Sequence, residues 1–185
     1  MMVHRTAARQ ADAVWQKFVG RYPTAAVAAQ ASDDELMAYL APLGLTWRAK
    51  NIVTAVRTLA GLDHGVLPGD LLPLRGVGHY AAAVVETVCF GERSPIVDAN
   101  VVRIYSRFFG FPATDSTRRS PAFHQLARAL LPADRDQRIR YFWALMDFGA
   151  AVCRPGAPRC DECPVTARCA FVREMQRVKA TPHQS

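Results

Sequence analysis

Four of the five cysteines of this chain fall in one short stretch, CRPGAPRCDECPVTARC, at residues 153–169. They are spaced Cys153-x6-Cys160-x2-Cys163-x5-Cys169. Four thiolates in one compact loop are the number of ligands that a structural zinc ion or a cubane iron–sulfur cluster requires. In a reducing compartment, cysteines grouped this closely hold metal more often than they form disulfides.

The order of short and long gaps favours iron–sulfur over zinc. Zinc sites usually pair two short C-x2-C turns, whereas here one short gap lies between two longer ones. Pro164 directly follows the third cysteine, as in many iron–sulfur loops. We therefore expect a [4Fe–4S] cluster, with zinc and disulfides as the alternatives. The fifth cysteine, Cys89, lies in a helical pattern and is predicted to be a packed core thiol.

The composition is typical of a globular protein, and its charge favours a polyanionic partner. The 185 residues are 50% apolar, which is enough to bury a core without crosslinks. The net charge of +7 favours a polyanion, although it could also serve solubility alone. The apolar runs fall far short of the roughly 20 residues that span a bilayer, and no signal peptide opens the chain. We therefore expect a cytoplasmic protein with no membrane partner.

The elements that must position these residues are predicted to be helices. Ser32 with Glu35 forms a capping-box pattern at one helix start. In 99–109 the apolar residues face inward, which leaves Arg103 and Arg107 on a different face. No convincing strand appears, so the expected fold class is all-α. Periodicity predicts helices over 47–60, from 81 to Gly91, and over 99–109, 121–131 and 136–151.

Two connections between helices contain residues that could bind a ligand or take part in a reaction. The first is LPLRGVGHYAA at 72–82, where Gly76 and Gly78 flank Val77 just before a helix. Glycines permit a tight turn and let backbone N–H groups at the helix start approach a phosphate closely. Read without other support, the segment is simply a turn between two helices.

The second connection is SPIVDANVVRI at 94–104. Asp98 stands immediately before the helix, in a position where aspartate is among the best N-terminal caps. Taken alone, Asp98 is better explained as a cap than as a catalytic carboxylate. The Gly-Val-Gly turn and the cysteine loop in the same short chain favour the catalytic interpretation.

This ordered set of motifs resembles the helix-hairpin-helix DNA glycosylase superfamily, which includes endonuclease III and the mismatch glycosylases. The resemblance implies an iron–sulfur protein with two helical lobes and a cleft between them, in which a monomer binds double-stranded DNA carrying a mismatched or damaged base. We expect a hairpin lobe at 1–93, a cluster lobe at 94–172 and a partly disordered tail at 173–185. The matching segments are LGLTWRAKNI, RGVGHYAAAVV, IVDANVVRIYSRFFG, MDFGAAVC and the cysteine spacing.

The resemblance also implies roles for single residues. Asp98 takes the place of the essential aspartate, which stabilises oxocarbenium character on the sugar and orients or activates water. The cysteines would ligate a cluster whose main task is to shape a basic DNA-binding loop with Arg154, Arg159 and Arg168. The residues expected to hold a backbone phosphate are Arg75, Gly76, Val77, Gly78 and His79.

Tyr80 decides the expected subtype. Bifunctional members of the family have a lysine here, whose amine attacks the sugar, and a phenol cannot form an imine. We therefore predict a monofunctional enzyme with absent or weak lyase activity. The segment resembles thymine glycosylases that act on G·T mismatches. Uracil would be accepted too, since losing one methyl contact costs about 1–3 kcal/mol. The alternative is a half-buried aromatic at a helix start.

Two other functions stay open. One is a MutY-type adenine glycosylase. In that branch a glutamate donates a proton, and it would fall just before the segment MMVHRT; an extra domain that recognises the opposite oxoguanine would follow the cluster. The other is a weakly active or non-catalytic iron–sulfur module that binds DNA.

The resemblance also predicts departures from the family pattern. Relatives begin some tens of residues earlier, so we expect either a start upstream of Met1 or a compact variant. Arg5 falls where relatives place residues that enter the gap left by an extruded base. Arg75 stands where the hairpin normally has proline, so it would add a phosphate contact or only loosen the turn.

Overall fold

The structure, a computed structural model, describes residues 6–62 and 70–180. All regular secondary structure in these ranges is helical, which confirms the all-α prediction. The chain divides into two compact units, Met1–Ala82 and Ala83–Ser185. Within the same ranges, no helix is long and apolar enough to cross a membrane.

Two short helices of the first unit begin at side-chain caps. Thr24 Oγ1 accepts a hydrogen bond from Val27 N at 3.2 Å, and Ser32 Oγ accepts one from Glu35 N at 3.1 Å. The predicted cap at Ser32 is thus confirmed, while Glu35 accepts a hydrogen bond from the Tyr22 hydroxyl at 2.6 Å. The helices that precede the hairpin are α1 (Ala8–Arg21), α2 (Ala25–Ala28), α3 (Asp33–Leu40) and α4 (Thr46–Ala60).

The core of the first unit gathers apolar residues from these helices. Leu36 and Leu40 of α3 are fully buried. Arg57 of α4 donates to the Ala31 carbonyl at 2.7 Å and to the Asp33 carboxylate at 2.6 Å, which ties α4 to the segment between α2 and α3. The other core members include Val14, Phe18, Tyr22, Leu43, Ile52 and Val53.

The second unit is built around α6. The helices here are α6 (Ala99–Phe109), α7 (Pro121–Ala129), α8 (Arg135–Ala151) and α9 (Ala170–Ala180), and α5 (His79–Val88) contains the division between the two units. Arg138 of α8 is buried and donates to the Gly91 carbonyl at 2.8 Å, which fixes the loop that follows α5. The core of this unit includes Val97, Val101, Val102, Ile104, Tyr105, Phe123 and Ala127.

One prediction about the second unit is wrong: Cys89 is exposed, not packed in the core. Helix α5 ends at Val88, earlier than the apolar pattern suggested. The Arg135 guanidinium donates to the Val88 carbonyl at 2.9 Å, and Cys89 lies on the turn beyond this helix end.

The segment after α5 packs within the second unit. Ile96 forms a buried cluster with Ala83 and Phe142, and Thr87 Oγ1 donates to the Ser94 carbonyl at 2.8 Å. The division at Ala82 therefore precedes the boundary that the sequence suggested at residue 93, and the assignment of lobes stays a prediction. Residues 170–180 form α9, and the remainder of the predicted tail, 181–185, lies outside the described residues.

Candidate functional site

The Gly-Val-Gly segment forms a tight turn that leads into α5. Leu74 N donates to the Leu71 carbonyl at 3.1 Å, and Val77 N donates to the Leu74 carbonyl at 2.9 Å. Both leucines are buried and anchor the turn. Gly76 has φ +84°, a conformation that glycine adopts without the penalty a side chain would bring. The turn is therefore fixed at its base and exposed at Gly76 and Gly78.

The exposed part of this turn is suited to an anion. The first N–H groups of a helix have no partner within the helix and carry partial positive charge. Among the described residues, a Cβ added at Gly78 would meet no atom within 4 Å, so the space beside this backbone is open. Arg75 is exposed, and its Nε donates to Asn51 Oδ1 on α4 at 3.3 Å. His79 is also exposed, at the first position of α5.

Tyr80 follows as the second residue of α5, with 40% of its surface exposed. Its ring is thus accessible from solvent at the helix end that carries the glycine turn. The predicted gap-filling residue, Arg5, lies outside the described residues.

Asp98 is the N-terminal cap of α6, as the structural interpretation of the sequence required. Its Oδ1 accepts a hydrogen bond from Val101 N at 2.8 Å, and its Oδ2 accepts one from Asn100 Nδ2 at 2.8 Å. The carboxylate is half-buried. Capping does not exclude catalysis, because these two bonds also hold the carboxylate in one orientation.

A chain of hydrogen bonds joins Asp98 to the cysteine loop. Asn100 Oδ1 accepts a bond from Arg103 Nη2 at 2.9 Å, and the same Nη2 donates to the Gly149 carbonyl at 2.9 Å. Arg103 Nε then donates to the Cys153 carbonyl at 2.8 Å. A Cβ at Gly149 would lie 3.1 Å from Asn100 Cβ, so a side chain here would crowd the close approach of α8 to α6.

The sequence pattern missed the part that Arg103 and Arg107 play. Both were predicted only to lie away from the apolar face of α6. They are half-buried, and each donates to the backbone of the cysteine loop. The one available signal is that Asn100, Arg103 and Arg107 recur every three or four residues, which places them on one helix face.

The cysteine loop is organised by short turns and side-chain bonds. Thr166 Oγ1 lies 2.6 Å from the Cys160 carbonyl and 2.8 Å from the Cys163 carbonyl, where it can donate to either oxygen. Short 3-10 turns at Cys160–Glu162 and Thr166–Arg168 compact the chain between the cysteines. The four loop cysteines are half-buried.

The four cysteines line a single pocket. Burial raises the pKa of the Cys160 thiol above its ordinary value, and charge repulsion from Cys169, Cys163 and Cys153 adds to the rise. Over residues 6–62 and 70–180, no three His, Cys, Asp or Glu side chains already stand in metal-ligand geometry. The donor set still fits a group with four thiolate ligands, because all four sulfurs belong to one pocket. The apolar wall of the pocket includes Ile104, Phe108, Phe148, Val165, Phe171 and Val172.

The arginines of the cysteine loop differ in their surroundings. Arg154 is half-buried, and its Nη2 donates to the Ala157 carbonyl at 3.2 Å. Arg159 is exposed and pairs with Glu162 at 3.3 Å. An exposed pair of this kind contributes at most about 1 kcal/mol, so the Arg159 guanidinium can exchange its partner for a phosphate at little cost. Arg168 is exposed as well.

The structure thus brings Asp98 and the four cysteines together in the second unit, linked by Asn100 and Arg103. The hairpin residues and Tyr80 belong to the first unit.

Comparisons with known proteins agree with these features. The family model of the HhH-GPD superfamily of base excision DNA repair proteins matches residues 1–132. A thymine/uracil-DNA glycosylase of Pyrobaculum aerophilum is 31% identical, and the match covers 96% of this chain and 80% of that protein. An adenine DNA glycosylase of Mycobacterium tuberculosis is 34% identical, and that match covers 89% of this chain but 55% of the relative.

The fold is similar to that of a solved protein as well. The structure of a thermostable thymine-DNA glycosylase superposes with a TM-score of 0.85 at 28% identity, covering 94% of this chain and 81% of that chain. Two findings establish the family. The family model matches more than half of the chain, and the Pyrobaculum relative is matched over most of its length. The chain belongs to the HhH-GPD superfamily of base excision DNA repair proteins.

Proposed function

We propose that this chain is a monofunctional DNA glycosylase that hydrolyses the N-glycosidic bond of thymine, and of uracil, mispaired with guanine. The similarity to a thymine/uracil-DNA glycosylase supports the substrate. The observation that carries the proposal is Tyr80, an exposed phenol at the start of α5 where the bifunctional members have a lysine. A phenol cannot form the Schiff base through which those members cleave the strand.

In the proposed reaction, the target base first leaves the helical stack. Extrusion costs a few kcal/mol, and a mismatch lowers this cost because the base is poorly paired. The exposed hairpin amides and Arg75 would hold the backbone phosphate at the helix end. The exposed arginines Arg159 and Arg168 would contact phosphates from the cysteine loop.

Asp98 would then act on the sugar. As the bond to the base lengthens, the sugar gains oxocarbenium character, which a nearby carboxylate stabilises. The same carboxylate would orient or activate the attacking water. Its bonds to Val101 N and Asn100 Nδ2 hold it in place, so little reorganisation is needed as charge develops.

Cys153, Cys160, Cys163 and Cys169 would hold a [4Fe–4S] cluster. The half-buried thiols and the apolar pocket wall support this assignment. When bound, the cluster would serve as a structural crosslink of the loop. The loop itself carries the arginines and receives the bonds from Arg103, so its order bears on the placement of α6 as well.

A second candidate is excision of adenine. It is favoured by the 34% identity to an adenine DNA glycosylase, which exceeds the 31% identity to the thymine/uracil enzyme. The adenine relative is matched over 55% of its length, whereas the thymine/uracil relative is matched over 80%. Thymine remains the preferred substrate in this proposal, because a tyrosine at the position of Tyr80 is typical of the thymine glycosylases.

A panel of duplexes separates these candidates. Labelled oligonucleotides with G·T, G·U, A·G and A·oxoguanine pairs are incubated with the protein and then analysed with and without alkali. We expect breaks at G·T and G·U that appear only after alkali, because hydrolysis leaves an intact abasic strand. Product only at adenine pairs would support the second candidate. Breaks without alkali would contradict the role given to Tyr80, and tight binding without any product would indicate a non-catalytic module.

A further inference from the structure

Arg107 touches the cysteine loop at both of its ends. Its Nη1 donates to Cys153 Sγ at 3.5 Å and to the Arg154 carbonyl at 2.8 Å. At the other end of the loop, the Cys169 thiol lies 3.5 Å from the Arg107 carbonyl, within hydrogen-bonding distance for sulfur. One residue of α6 therefore contacts the first and the last of the four cysteines.

The guanidinium is held in this position by an aromatic ring. Its central carbon lies 5.0 Å from the centre of the Phe171 ring, which belongs to the first turn of α9. Arginine over an aromatic face is attracted by the ring electrons, and the attraction grows where water is excluded. Arg107 also lines the pocket that the cysteines share, so its charge lies beside the sulfurs.

We propose that Arg107 is a positioning residue for the cysteine loop. Its guanidinium joins the start of the loop, at Cys153 and Arg154, to Phe171 just after the last cysteine, and it places a cation against the Cys153 sulfur. This inference rests on the proposed cluster. Some side chains do not ligate a metal but hydrogen-bond to the residues that do. Removing such a side chain usually lowers metal affinity about 10- to 100-fold. Hydrogen bonds to the sulfurs also help to set the potential of an iron–sulfur cluster. An N–H group and a positive charge at sulfur stabilise the more negative, reduced form, which raises the midpoint potential.

The test compares Arg107→Met with a control that has the same change in charge. Methionine keeps an apolar stem beside Phe171 but removes the donors and the charge. Arg173 is an exposed arginine one turn after Cys169, whose backbone N–H donates to the Cys169 carbonyl, and Arg173→Met removes the same charge. Arg107→Lys keeps the charge but replaces the planar guanidinium, which lies over the Phe171 ring, with a compact ammonium. The full chains are purified without oxygen and assayed for iron, for loss of the cluster absorbance in a chelator, and for midpoint potential.

We expect Arg107→Met to lose the cluster about tenfold faster than wild type or more. The clusters that remain should have a more negative midpoint potential. Arg107→Lys should lose its cluster at an intermediate rate with a potential closer to wild type, and Arg173→Met should match wild type in both. The potential separates a direct effect at sulfur from general loosening of the fold, which thermal melting followed by circular dichroism measures independently.

Two outcomes would overturn the inference. If wild type holds iron while Arg107→Met and Arg173→Met behave alike, Arg107 has no special role and the cluster assignment stands. If wild type holds no iron, the cluster assignment fails together with the inference. Neither outcome depends on base release, which tests the proposed glycosylase separately.

Discussion

Asp98→Asn should lower single-turnover base release by about 100- to 10,000-fold while binding to a mismatched duplex is largely kept. Asparagine is nearly isosteric with aspartate but carries no charge, so it cannot stabilise a cationic sugar or accept a proton from water. It is also one of the best N-terminal caps, so the bond to Val101 N and the start of α6 should survive. The loss would then be chemical and not structural.

The control for this prediction is Ser120→Ala. Ser120 caps α7 through a bond to Phe123 N at 3.5 Å, in the same unit. Removing a cap costs about 1 kcal/mol of stability, and base release should stay near the wild-type rate. Base release by Asp98→Asn at a rate close to wild type would show that the carboxylate only caps the helix.

Arg103→Leu should destabilise the second unit by about 2–4 kcal/mol, because it leaves three partly buried acceptors without their charged donor. The acceptors are the carbonyls of Gly149 and Cys153 and the side-chain oxygen of Asn100. Asn100 would also lose the bond that holds it against Asp98 Oδ2, so base release should fall together with stability. The free energy of unfolding is measured by denaturant titration, with the extent of base release measured on the folded variant.

Arg140→Leu is the matched control for Arg103→Leu. Arg140 is exposed on α8, where a surface substitution usually changes stability by no more than about 0.5 kcal/mol. If both leucine variants unfolded at the same denaturant concentration as wild type, the hydrogen-bond chain from Asp98 to the loop would contribute nothing to the fold.

The sequence predicted features that depend on neighbours along the chain. The cap at Ser32, the helix that ends at Gly61 and the helix that begins after Asp98 each follow from residues within one or two turns. Local energetics decide these positions, and the structure confirms them. The four cysteines were found in the same way, because their spacing lies within one short loop.

Features that depend on tertiary contacts could not be predicted. The bonds that Arg103 makes require α8 to approach α6 closely at Gly149, which no local pattern encodes. Cys89 is exposed just beyond the end of α5, where the Val88 carbonyl accepts a bond from Arg135, a residue distant in the sequence. Apolar periodicity cannot place a helix end that is set by a partner so far along the chain.

The product of the reaction tests the central claim most directly. A G·T duplex is incubated with the wild-type protein, and the released base and the DNA strand are then analysed by mass spectrometry. The proposed hydrolysis predicts free thymine and an unbroken strand that carries an abasic sugar in place of the thymidine. A strand cleaved to an unsaturated aldehyde, or a duplex that keeps its thymine, would contradict the account.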